Sequence, residues 1–555
     1  MGILSRIQIR SFKKISSSEL DLSPITVLVG GNNSGKSCFL QGIHFGATLS
    51  QSQISAGAQQ FPPEKLRYCP TDDFLNLRHG ERLTETSEIV IGFIENEPQV
   101  RDASISLTRG RNGVVKAVGM DSDLGREISN PKAFFTIYVP GLAGVAIREE
   151  YRSDLVVNNG IARGDANLYL RNVLLRIQQH NDRRLRFTDL LSRVFPGVVV
   201  TAKFDLANDL FISADTTLPD GRTRPLDMSG TGLLQAVQLL AYVTNYEPKL
   251  LLLDEPDAHL HPNNQRLLAQ TLNLIARESE TQILLATHSR HLLDALSEYR
   301  DAKLYWVKDG SATPQEAWAD VAVLMDLGAL DRGEQFLHGQ FQYLVWTEDT
   351  DTRYLEALLR ANGFPLEQTL VFSYKASSKI DAAALMVSFV QRVRPGVKLI
   401  VHRDRDFMTN DEVARLIRKY SLPEGANVAL LITKFSDVEG YFAQASHLAA
   451  SLQRPVEDMT VLVDDVVRND NNLFVLKFRD KREEIKRTLY KGDEDNRPDT
   501  AALLPADQIT VENAMGKLLL KKLNSRVQAL GINPANIVAE SPALRDDGVS
   551  SLLQL

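Results

Sequence analysis

From Arg6 to Arg10 polar and apolar residues alternate, the period of a half-buried strand, and after a turn ITVLV (Ile25–Val29) is continuously apolar, as in a strand covered on both faces. Stretches rich in Gly, Pro, Asn and Asp between Ala56 and Gly125 predict loops around strands such as SEIVIGFI (Ser87–Ile94). Between Asp165 and Phe195 the spacing of Leu168, Leu170, Val173, Leu174 and Ile177 predicts helix, with NDRRLRF as a basic bend before another helix, so a helical insertion is expected at about 165–225. KLLLLDEP and TQILLATHS are apolar cores that run into polar residues, as buried parallel strands do where a ligand meets their C-terminal ends. FQYLVWTED, TLVFSY, VKLIVHRDRD and VALLITKF repeat that style, separated by helical stretches, and predict a smaller parallel sheet. The pattern gives a first domain at 1–338, a second at 339–457 with its boundary near Gly339, and a mixed helical and charged segment at 458–555.

Length changes the picture little: 555 residues exceed what one hydrophobic core usually serves, and several domains are expected. With 43% hydrophobic and 24% charged residues the chain should fold rather than stay disordered. Its 63 basic and 70 acidic residues exclude a nonspecific polycation, so contact with nucleic acid must be local. Cys38 and Cys69 are too few for a disulfide framework or spaced metal-ligand pairs. No run approaches the ~18 apolar residues of a bilayer span and the N-terminus lacks an apolar signal core, so a cytoplasmic protein without membrane contact is expected.

The most specific chemical signal is GGNNSGKS. Gly30, Asn32, Asn33, Ser34 and Gly35 form a loop whose backbone amides suit phosphate oxygens, Lys36 supplies a charge for the β and γ phosphates, and Ser37 offers a hydroxyl to magnesium. A strand precedes it and a helical pattern follows, the context such a loop requires. In LLLLDEPDAHLHP the apolar run carries Asp254 to a strand end where it can hold magnesium, and Glu255 is placed to orient an attacking water. His288, in LLATHS, stands at another strand end. MSGTG (Met228–Gly232) lies about one helix ahead of the LLLLDEP strand.

Together, IRSFKKI, VGGNNSGKS, MSGTG, LLLLDEPDAHLHP and LLATHS resemble the ABC-type ATPases of the branch containing the structural-maintenance-of-chromosomes, RecF and OLD (overcoming lysogenization defect) proteins. The resemblance covers residues 1 to about 310. It implies ATP and Mg2+ as cofactors, His288 near the γ-phosphate, and a homodimer or higher homo-oligomer. In that assembly Ser229, Gly230 and Gly232 of one subunit would complete the site around another subunit's Lys36. MSGTG departs from the common LSGGQ form, and no glutamine loop is placed.

VKLIVHRDRDF ends a candidate strand with Asp404 and Asp406. Residues two apart on a strand point the same way, so two carboxylates could share one metal ion. Arg403 and Arg405 suit phosphate or simply balance the charge. Residues 340 to about 450 resemble the Toprim domain that follows the ATPase in OLD-type nucleases. That pattern puts Thr347 where a glutamate is usual, one residue before Glu348. A one-residue slip on a strand reverses the side chain, whereas a bulge at its end would let Glu348 or Asp349 substitute. Asp351 matches a later acid. Asp437 and Glu439 resemble a third acidic element, and Lys434 or Lys517 is a candidate basic group. The fold expected is thus α/β, an ABC-type P-loop ATPase domain with a helical insertion followed by a smaller Toprim-like parallel α/β domain.

Two functions follow from the resemblance. One is a defence protein whose ATPase gates DNA cleavage by its own Toprim-like domain. The alternative is an ATPase scaffold or sensor, of the kind found in Septu, PARIS and retron systems, that holds a separate effector such as an HNH nuclease, or works with a reverse transcriptase. The Asp404 and Asp406 pair favours the first and Thr347 the second. A RecF-like repair role fits less well, since such proteins lack the second domain.

Overall fold

A computed structural model of the protein describes residues 3–96, 99–141, 144–326, 340–373, 394–420, 427–491 and 496–554, with Val387, Val390, Gln391 and Asp493. The chain divides into two compact units, Met1–Asp331 and Arg332–Leu555. The boundary expected near Gly339 lies outside the described residues.

In the first unit, a six-stranded antiparallel sheet runs in the order Ile15–Asp21, Leu4–Phe12, Ile89–Glu95, Arg101–Arg109, Val115–Gly119, Gln60–Phe61. A second six-stranded sheet runs Ser311–Gln315, Ala302–Lys308, Ile25–Val29, Gln282–Ala286, Leu250–Asp254, Thr136–Val139. It is parallel except at the Ser311–Gln315 edge. Its central strands are apolar throughout because both faces are covered: every residue of Ile25–Val29 and Gln282–Ala286 is buried. The helix Lys36–Ala56 packs against strands of both sheets, and one continuous core joins Ile7, Phe12, Phe39, Ile43, Leu252 and Leu284.

The insertion expected to be helical at about 165–225 is helical only as far as Val194. Helices at Asp154–Ala162, Leu170–Gln179 and Asn181–Val194 are followed by a three-stranded antiparallel sheet, Thr223–Pro225, Ser213–Thr217, Val199–Lys203. Val200, Ala202, Ala214 and Thr216 are buried on one face of it while their neighbours are more exposed, a period of two in strands too short and polar to register in the sequence.

The second unit is built on a four-stranded, wholly parallel sheet in the order Thr369–Ser373, Tyr343–Thr347, Lys398–Arg403, Val428–Ile432. Residues after 458 do not stand apart from it. Phe474, Phe478, Leu519, Leu523, Val527 and Val549 share a core with Val345, Leu358 and Ile400, so the helices Val456–Asn469, Asn471–Leu489 and Gly516–Ala529 help cover this sheet. Among the described residues, no helix is long and apolar enough to cross a membrane.

Candidate functional site

Two sites lie at the C-terminal ends of parallel strands, one in each unit. In the first unit Ile25–Val29 delivers the chain into the loop Gly30–Gly35, and the helix starts at Lys36. Gly35, at the start of the helix, has φ 113°, a left-handed backbone that glycine adopts without strain. Asn32 and Asn33 are exposed, whereas Gly30, Ser34 and Lys36 are buried. The Lys36 ammonium donates to the carbonyl oxygens of Gly30 at 3.0 Å and Gly31 at 2.9 Å, so it already spans the loop it must serve.

Asp254 ends its strand beside Ser37. Its carboxylate accepts from the Tyr138 hydroxyl at 3.1 Å, and burial pushes its pKa above the usual carboxylate range while hydrogen bonds from Ser37 and Tyr138 oppose that rise. Ser37 and Asp254 therefore form a two-oxygen cradle suited to a hard divalent ion. Glu255 follows with φ 50°, its amide tied to the Ala286 carbonyl at 2.9 Å, and its carboxylate lies 3.5 Å from Nε2 of His288. A left-handed glutamate is uncommon and is held here by neighbouring structure.

The MSGTG segment is placed differently. Ser229 donates to the Thr216 hydroxyl at 3.1 Å, and Gly230 is exposed at the start of the helix Thr231–Tyr246. Gly232 packs beneath the His259 carbonyl. That helix reaches Glu255 through Gln235, whose side-chain amide donates to the Glu255 carbonyl at 2.6 Å. Neither Gln235 nor Tyr138 was singled out by sequence reasoning. The same holds for buried Asp257, which accepts from Thr287 at 2.7 Å and whose carboxyl burial raises to about 6. Each becomes visible only through its distant partner.

In the second unit the strand end at Thr347 faces the strand end at His402, its register partner. Thr347 is wholly buried, and its hydroxyl lies 2.7 Å from Nδ1 of His402 and accepts from the Asp349 amide at 3.1 Å. Glu348 points elsewhere, accepting from the Asp404 amide at 3.0 Å. The ammonium of Lys517 bridges two carboxylates, 2.8 Å from Oδ1 of Asp349 and 3.0 Å from Oδ2 of Asp404.

The expected pairing of Asp404 with Asp406 rests on strand alternation continuing past Arg403, and it does not. The strand ends at Arg403, Asp406 takes φ 50°, and its carboxylate lies 3.4 Å from Lys481. Asp404 instead joins Asp349 and His402, a set in which one donor atom from each residue lies within 4.8 Å of the others. Oδ2 of Asp349, Nε2 of His402 and Oδ1 of Asp404 are buried without a hydrogen-bond partner, and this fits a cation as the missing partner.

The remaining candidates divide cleanly. Asp437 accepts from the amides of Gly440 at 3.1 Å and Lys517 at 3.2 Å, and so fixes the start of the helix that carries Lys517. A Cβ on Gly516 would stand 2.0 Å from Oδ1 of Asp437, so only glycine permits this approach. Burial raises the Glu439 carboxyl to about 7, against the pull of Lys517, and its Oε2 is buried without a partner. Lys434 lies over the Phe435 ring, and Asp351 pairs with Arg353 at 2.7 Å, leaving both outside the cluster. Arg405 bonds the Met408 carbonyl at 2.9 Å.

Burial also sets the charges. It lowers His402 to about 4, so the imidazole is neutral at pH 7. Burial and the Asp349 charge raise Asp404 well above its ordinary value, with Lys517 opposing. Burial disfavours the Lys517 charge, but Asp404 and Asp349 outweigh it and keep the ammonium protonated. His402 was missed in the sequence. It stands on the strand Lys398–Arg403, two positions before Asp404, which follows the strand end.

The glycine loop, the Ser37 and Asp254 oxygens and the parallel sheet belong to an ATPase unit. Residues 25–294 match the family described as "AAA domain, putative AbiEii toxin, Type IV TA system". The chain is 21% identical to the Old nuclease of Escherichia phage P2 over 465 residues, covering 73% of this chain and 78% of that protein. Over 105 residues it is 35% identical to the energy-coupling factor transporter ATP-binding protein EcfA2 of Lacticaseibacillus paracasei, covering 18% of this chain and 34% of that protein. The structure of the SmcHead bound to the C-winged helix domain of ScpA matches at 16% identity over 56% of this chain and 97% of that one, with a TM-score of 0.39. The protein carries an ATPase domain and is similar, over most of its length, to an OLD-type protein.

Proposed function

We propose that the protein is a defence ATPase that gates DNA cleavage by its own second unit. The observation that carries this reading is the convergence of Asp349, His402, Asp404 and Lys517 on one point at the end of a parallel sheet, with three buried donor atoms lacking partners. Similarity to a protein named Old nuclease supports it.

In the first unit the loop amides and Lys36 hold the phosphates, Ser37 and Asp254 hold magnesium, and Glu255 orients the attacking water with His288 beside it. Ser229, Gly230 and Gly232 complete the site of a second copy, making a homodimer or higher homo-oligomer. A divalent ion at the second site would supply polarisation of the scissile phosphate. Around it, Lys517 bridges Asp349 and Asp404, Glu348 fixes the Asp404 backbone, and Glu439 holds or releases a proton at Oε2 near neutral pH. DNA is the substrate proposed.

Thr347 favours a second reading, in which the Toprim-like unit is altered and the ATPase holds a separate effector nuclease. The two are separated by incubating purified protein with plasmid or single-stranded DNA, ATP and magnesium or manganese. Cleavage that disappears in Asp404→Ala supports the first reading. Absence of any cleavage, with Asp404→Ala still abolishing protection in cells, supports the second. Cleavage persisting in Asp404→Ala would remove the site from either account.

A further inference from the structure

The second site contains a ligand type that two aspartates alone would not provide. His402 is fully buried, and a buried ring nitrogen without a partner is costly. Its Nδ1 edge meets the Thr347 hydroxyl at 2.7 Å, and that hydroxyl already accepts from the Asp349 amide. With a proton on Nδ1 given to Thr347, the lone pair falls on Nε2. Nε2 lies 3.9 Å from Oδ1 of Asp404, while Oδ2 of Asp349 lies 3.8 Å from the ring's other nitrogen, Nδ1. Both oxygens lack hydrogen-bond partners, because Lys517 takes the other oxygen of each carboxylate.

Ligands about 2.1 Å from an ion stand about 3.0 Å apart at right angles and about 4.2 Å apart in opposition. A set of donors within 4.8 Å therefore needs only a small contraction to close on an ion. A hydrogen-bonded far nitrogen is also what orients a ligating imidazole. Thr347, sitting where a Toprim-like pattern carries a glutamate, has this orienting task instead.

We propose that His402 is a metal ligand, completing with Asp349 and Asp404 a mixed nitrogen and oxygen site that selects a first-row transition ion of the manganese, iron or zinc class over magnesium. The inference rests on the reading of this cluster as a metal site. Imidazole binds such ions well and magnesium poorly, whereas a carboxylate-only site serves magnesium.

The test uses full-length, nucleotide-free protein, so that the first unit contributes no nucleotide-bound metal. Loss of the free Mn2+ electron paramagnetic resonance signal on titration should show one bound ion per chain, not displaced by a tenfold excess of Mg2+ and displaced by Zn2+. Pulsed measurement on the Mn2+-loaded wild-type protein should show coupling to an imidazole nitrogen. This readout needs no variant and does not depend on cleavage. His402→Gln should weaken Mn2+ binding by about 10- to 100-fold, and His402→Asp should narrow the preference for Mn2+ over Mg2+. Bound Mn2+ without nitrogen coupling, or Mg2+ competing on equal terms, overturns the inference while leaving DNA cleavage open. Nitrogen-coupled Mn2+ with no cleavage under any metal leaves the inference standing and overturns the proposed nuclease function.

Discussion

Arg482 is wholly buried on the helix Asn471–Leu489, and it holds the segment that follows the second site. Its guanidinium donates to both oxygens of Glu412, at 2.5 and 2.9 Å, and to the Phe407 carbonyl at 3.1 Å. Glu412 is equally buried and caps its own helix by accepting from the Thr409 amide at 2.8 Å. Arg482→Met keeps much of the volume but leaves an uncompensated carboxylate in the interior. Breaking a buried pair from one side costs about 3 to 5 kcal/mol. For a unit of this size, about 2 to 4 °C per kcal/mol gives a fall in Tm of roughly 6 to 20 °C. Differential scanning calorimetry of the full chain should show the fall in the transition of the second unit. The double variant Arg482→Met, Glu412→Leu should recover much of it, because no charge is then stranded. Burial alone would raise the Glu412 pKa, but the Arg482 and Thr409 hydrogen bonds win and lower it. A lowered carboxylate adds stability above its unfolded pKa of about 4.3 and loses it as pH falls through the folded value. The deficit of Arg482→Met relative to wild type should therefore shrink below about pH 4. A fall under 2 °C at pH 7, or a double variant no better than the single one, would refute the reasoning.

Lys36→Ala removes a charge that now spans the loop carbonyls and should weaken ATP binding by at least about tenfold, since bonds to charged groups contribute about 1.5–3 kcal/mol each; calorimetry with ATP checks this. Glu255→Gln should hold ATP unhydrolysed and yield a larger or longer-lived oligomer by light scattering, and a monomer at saturating ATP would count against the shared site. Lys517→Met leaves Asp349 and Asp404 facing each other without their ammonium, so apo protein should lose stability and regain it on adding Mn2+, read as a rise in Tm. Glu439→Gln should raise Tm more at pH 8 than at pH 5. The folded pKa of about 7 lies above the unfolded value, so ionisation costs stability increasingly as pH rises through that window.

The loop Gly30–Gly35 and the strand end at Asp254 were legible in the sequence because their parts are local. An apolar run, a glycine loop and a helix start lie within the stretch Ile25–Ala56, and the LLLLD run alone places Asp254 at a strand end. The parallel second sheet was legible for the same reason, each strand declaring itself by apolar length. Periodicity reports which face a side chain takes, and only as long as the element lasts. That is why Asp406, beyond the end of its strand at Arg403, was paired with the wrong neighbour, and why short polar strands in the insertion passed for helix. Only the tertiary structure decided what stands across from what. Lys517 meets Asp349 across 168 positions of sequence, and Thr347 meets His402 across 55. Contacts of that range are chosen by how helices and strands pack as bodies. No local pattern could have shown that the Thr347 hydroxyl meets the His402 imidazole.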